Sequence, residues 1–90
     1  MADSFEGAVR ILGDDGVLLT TGVAALETDH EMGNWKGVVQ TLDGSAVAGK
    51  ALVVYLEIPD QGRGKAQLVP RGVVGEKATS TVTGFGEQPF

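Results

Sequence analysis

The sequence predicts one all-β domain, a small antiparallel barrel of about six strands across residues 1–90, with a two-sheet β-sandwich as the alternative. Three observations predict it. Fourteen glycines in 90 residues, about twice the usual share, punctuate short valine-rich runs at fairly even spacing. Within the runs apolar and polar residues alternate, the period of a strand with one face buried. No connection is long enough to hold the helical crossover that parallel strands need.

The elements follow in order. Phe5, Gly7, Val9 and Ile11 share one face of a first strand, with Glu6 and Arg10 on the other. Asp14-Asp15-Gly16 supplies turn chemistry, because positive φ is cheap at glycine and tolerated at aspartate. Residues 17–28 are long for one flat strand, and Gly22 in their middle predicts a bulge or sharp bend. Read as a helix, the same run would hold Thr20, Thr21, Gly22 and Val23 in succession, which is poor helix chemistry. Residues 29–34 form a polar connection. A third strand covers 35–42 and is closed by Asp43-Gly44, a dipeptide of the hairpin type; residues 45–49 read as loop or strand edge. In the fourth strand, 51–58, Leu52, Val54, Leu56 and Ile58 alternate with Val53, Tyr55 and Glu57. The fifth runs over 65–69 and resumes past Pro70 and Gly72 to Val74. Proline donates no ladder hydrogen bond, so an edge or bulge is expected there. The sixth is 78–85, with Thr79, Thr81 and Thr83 on one face, and the closing residues 86–90 end on Phe90, expected to pack down. Closing such a sheet removes its edges. A barrel this small is filled by side chains, so any ligand site is expected to be small or to lie at a mouth.

Charge narrows the function. The chain carries a net −5, and its first 31 residues hold Asp3, Glu6, Asp14, Asp15, Glu27, Asp29 and Glu31 against Arg10 alone. Such a chain repels phosphate backbones and anionic membranes, so neither nucleic acid nor membrane is an expected partner. There is no cysteine, which removes disulfides, thiolate metal sites and thiolate catalysis. The acidic opening Asp3-Ser4-Phe5-Glu6 lacks the apolar core of a signal peptide, and no apolar run approaches the ~20 residues of a bilayer span. A cytoplasmic setting is expected.

The motifs that suggest chemistry fall short of it. Gly44 to Ala51 fits a phosphate-binding loop until Ala51 stands where a Mg²⁺-holding Ser or Thr belongs. A strand pattern follows, where a helix N-terminus is needed. Gly62-Arg63-Gly64 and Gly84-Phe85-Gly86 lack the third glycine of a dinucleotide fingerprint. His30, the one histidine, sits between Asp29 and Glu31, but neighbours on a strand point to opposite faces and a catalytic zinc wants three protein ligands. No G-x-S-x-G elbow presents a serine. The expectation is therefore no catalytic residue, no metal and no cofactor. Trp35, beside Lys36 and just after a polar loop, is the aromatic best placed to meet a ligand. With Tyr55 and His30 it makes up the candidate site for a small apolar ligand.

Three segments carry a resemblance: Phe5-Glu6-Gly7-Ala8-Val9, Gly33-Asn34-Trp35-Lys36-Gly37-Val38, and Thr81-Val82-Thr83-Gly84-Phe85-Gly86-Glu87-Gln88-Pro89-Phe90. Together they resemble a small actinobacterial domain family of unknown function, found alone or appended to flavin-dependent monooxygenases. Its members tend to carry more aromatics and a histidine near the tryptophan, where this chain has Asn34 and Lys36. The resemblance implies an all-β domain with an accessory or binding role, and brings no catalytic residue. The leading expectation is thus a non-catalytic accessory module that binds a partner protein or its own copy, in association with redox enzymes. A small-molecule-binding barrel near Trp35 and Tyr55 is the alternative. Two lesser readings are an enzyme built on His30 and its carboxylates, and an acidic mimic of nucleic acid, whose acids would have to gather on one face.

Overall fold

Alternation of the apolar residues sets both the strands and the inside of the molecule. The structure is a computed structural model, described here for residues 3–42, 44 and 47–90. Six strands follow in chain order: β1 (Ser4–Leu12), β2 (Leu18–Asp29), β3 (Asn34–Leu42), β4 (Leu52–Ile58), β5 (Gly62–Val74) and β6 (Lys77–Phe85). All neighbours are antiparallel, and the order β1-β2-β3-β6-β5-β4 closes on itself as a barrel. The sandwich alternative is set aside by that closure. Two meanders, β1–β3 and β4–β6, are joined along β3–β6 and again along β1–β4.

Register fixes the barrel's shape. Ser4, Glu27, Lys36, Thr83, Gln67 and Val53 lie opposite one another around the ring. Extending the β1–β4 register from Leu12–Tyr55 brings that row back to β1 at position 14, ten residues beyond its start. A stagger larger than the strand number tilts the strands steeply and widens the tube enough for packed side chains. Val9, Ile11, Ala24, Leu26, Trp35, Val39, Val54, Leu56, Ala66, Leu68 and Val82 fill it.

Local chemistry explains the turns. In the β1–β2 turn the Asp15 carboxylate accepts the Val17 N–H at 3.0 Å, and Gly16 takes φ +81°. In the β2–β3 turn the Asp29 carboxylate accepts the Glu31 and Met32 N–H groups at 3.1 and 3.2 Å. Such side-chain acceptors mimic a backbone turn.

Two expectations need correction. The Asp43-Gly44 dipeptide does not close a hairpin, since β3 pairs with β6, and β4 pairs with β1 and β5. Between β3 and β4, Val47 is fully buried in the core, while Asp43, Ser45 and Ala46 lie outside the described residues. The β2 irregularity falls where Leu12 opposes Leu18, skipping Leu19, and not at Gly22. Gly22 serves close approach instead, because a Cβ there would stand 2.5 Å from the Gln40 carbonyl of β3. At Pro70 the register does shift, between Pro70 and Gly72.

Candidate functional site

The three residues singled out in the sequence are held apart. Trp35 points inward from β3 and is fully buried. Its indole fills the space where a Cβ on Gly84 would stand, and its Cζ2 would be 2.7 Å from a Cβ on Gly64. Phe90 meets it edge-on, ring centroids 6.2 Å apart at 88°. The closing segment 86–90 is tied over that end, the Thr28 hydroxyl donating to the Gln88 Oε1 at 2.7 Å. Tyr55 lies on the outer wall, between buried Val54 and Leu56, opposite Leu12 and Lys65. His30 is exposed at the β2–β3 turn. Trp35 and Tyr55 therefore sit on opposite sides of the barrel wall and share no mouth. A side chain packed between two strand backbones under a second aromatic offers no face to a ligand. Its Nε1–H has no acceptor among the described residues.

His30's neighbours are engaged elsewhere. Asp29 holds the turn amides and faces the Lys36 ammonium at 3.7 Å. The Met32 N–H, with help from the Lys36 charge and the Glu31 N–H, holds the Asp29 carboxyl below its ordinary value, against the opposing effect of desolvation. Among the described residues no group of three His, Asp or Glu side chains is placed to hold a metal ion. The acids are also divided: Asp3, Glu6, Glu27, Asp29 and Glu31 surround the start of β1 and the end of β2, whereas Asp14 and Asp15 lie in the turn at the far end.

What the barrel does present is an uncharged outer face across β2, β3, β6 and β5. One row is Ala25–Val38–Thr81–Val69, and the next is Val23–Gln40–Thr79–Gly72. Beyond them Leu42 and Val74 flank Lys77. Val23 is 53% exposed, Leu42 64% and Val74 83%, and the two central rows hold no charge. The face exists because outward positions, which a solvated sheet fills with charged residues, here carry valine, alanine and threonine. The signal was in the sequence as the polarity of alternate positions, but the pairing of β3 with β6 was needed to bring those positions together.

Comparisons of the chain with protein-family descriptions, with curated proteins and with solved structures find no match. The fold and the surface define it as a closed, six-stranded antiparallel barrel with a filled interior. No helix of the described residues is long and apolar enough to cross a membrane.

Proposed function

We propose that this chain is a non-catalytic accessory module that binds another protein, or a second copy of itself, through the uncharged face of β2, β3, β6 and β5. One observation carries the reading: β2, β3 and β5 expose Val23, Leu42, Val69 and Val74 around two rows without charge that run across them and β6. Contiguous apolar surface on a small domain marks contact sites, and depletion of charge at the centre is what distinguishes protein interfaces from the remaining surface. The partner class to try first is a flavin-dependent monooxygenase, which the sequence resemblance implies. A cytoplasmic setting belongs to the same reading, supported by the absence of cysteine.

The test is light scattering on the eluting protein across a hundredfold concentration range, with a parallel binding assay against such a monooxygenase. A self-association or a complex that Val23→Asp abolishes while circular dichroism stays unchanged supports the reading. A strict monomer that retains no monooxygenase overturns it.

A further inference from the structure

The opposite flank of the barrel holds a second feature, independent of that face. β1, β4 and β5 bring Arg10, Glu57 and Arg63 into one cross-strand row. The Arg63 Nη2–H donates to the Glu57 Oε2 at 2.9 Å, and the Arg10 Nη1–H donates to Oε1 at 3.3 Å. One carboxylate thus holds two guanidiniums, one on each oxygen, and both side chains remain about half exposed, at 55% and 51%. They border an open groove that Leu12 and Leu18 line, with Thr21 and Gly16 also at its wall. The Arg63 Nη1 lies 3.9 Å from where a Cβ on Gly16 would stand, so Arg63 spans from β5 to the β1–β2 turn. Each guanidinium has five N–H donors, and among the described residues each spends one.

A structural clasp explains only part of this. The β1–β4 seam consists of Arg10–Glu57, Ile11–Leu56 and Leu12–Tyr55, and an Arg10–Glu57 pair across it would tie that short ladder. Arg63 has no such task, because β4 and β5 are already paired from Leu52–Leu68 to Ile58–Gly62. Its convergence on the same carboxylate leaves a net single positive charge with fixed, unspent donors, on a chain whose total is −5. Donors pre-positioned by a third group lose less freedom on binding, and guanidinium forks match carboxylates in paired fashion.

We propose that this groove binds a singly charged carboxylate carrying a short apolar chain. The carboxylate would lie between the outer edges of the Arg10 and Arg63 guanidiniums, and the chain along Leu12 and Leu18. The residual charge of one selects a monoanion; a phosphate dianion would meet the Glu57 carboxylate with one negative charge uncompensated. The same chemistry is offered by a small organic acid and by a glutamate or terminal carboxylate of a peptide.

The experiment titrates the full chain with hexanoate, acetate, inorganic phosphate and a capped Leu-Glu-Leu peptide at constant ionic strength. Arginine Nε–H resonances are the readout. The expected result is saturable movement of both arginine signals with hexanoate or with the peptide, whichever saturates identifying the source, and hexanoate binding at least threefold tighter than acetate. Arg63→Gln, a change at a half-exposed side chain that leaves the β4–β5 ladder in place, should weaken binding about tenfold. If Arg63→Gln does not fold, the hexanoate–acetate comparison in the unchanged chain decides. Shifts that rise linearly with every probe, indifference to Arg63→Gln, or phosphate saturating more tightly than hexanoate would each overturn the assignment.

Discussion

Replacing Gly84 by alanine would set a methyl group into the six-membered and pyrrole rings of Trp35, which occupy the space a Cβ needs. The indole cannot slide away, because Gly64 on β5 and Phe90 confine it on other sides. Overpacking of a rigid group in a filled core costs about 3 kcal/mol at the upper end of the usual range. Gly84→Ala should therefore lower the urea midpoint by that equivalent and shift Trp35 fluorescence to the red; an unchanged emission maximum would refute the nest. Asp29 makes a second residue-scale prediction. Its carboxyl is held low chiefly by the Met32 N–H, so the folded state binds that proton less readily than the unfolded chain does. The stabilisation is complete above the ordinary value of 3.8 and is lost as pH falls through the lower folded value. Urea midpoints measured from pH 6 down to pH 2 should fall through that window, and Asp29→Asn should flatten this part of the profile.

At the scale of elements, the strands were legible and their neighbours were not. Alternation is a local property: Phe5, Gly7, Val9 and Ile11 do face inward, and Leu52, Val54, Leu56 and Ile58 do alternate with outward Val53, Tyr55 and Glu57, as the burial of β1 and β4 shows. Pairing is not local. Nothing near residue 43 announces that β3 will lie beside β6, so Asp43-Gly44 reads as a hairpin although β3 and β4 do not pair. Trp35 misleads for the same reason. Its burial depends on Gly64 and Gly84, on strands far along the chain, while its sequence neighbours, Asn34 and Lys36, suggest a surface. The candidate face was hidden likewise, its residues being contributed by four separate runs. Pro70 shows the reverse case, a local residue with a legible role. β4 stops pairing with β5 at Leu52–Leu68, so β5 beyond Leu68 has no strand on that side among the described residues. Pro70 removes a donor and the shift at Arg71 breaks the row, two devices that blunt an edge against unwanted pairing. Pro70→Val should leave thermal stability within about 0.5 kcal/mol yet raise concentration-dependent association in light scattering. No change in association would mean that the edge is guarded by something else.

At the scale of the whole molecule, closure rests on a short seam. β1 pairs with β2 from Ser4 to Leu12, and β5 pairs with β6 from Lys65 to Val74, whereas β1 meets β4 at three positions only. The side chains under the seam are nonetheless core: Ile11 and Leu56 are both fully buried. Two forces therefore act there in different proportion from elsewhere, few hydrogen bonds and full apolar burial. Hydrogen exchange separates them, because an amide exchanges through whichever opening is lowest in free energy, local or global. Parting β1 from β4 would expose Ile11 and Leu56 to water, at roughly 1.5–3 kcal/mol for each side chain, while both three-stranded meanders stayed paired. That is a cheaper opening than unfolding the barrel. The amides of the β1–β4 seam should then exchange at a common rate, faster than those at the centres of β2–β3 and β5–β6. Leu56→Ala, which removes apolar burial at the seam without touching its hydrogen bonds, should speed the seam amides more than the others by reducing what the opening costs. Uniform protection across all six ladders would show instead that the barrel opens only as a unit, with the two meanders unable to stand apart.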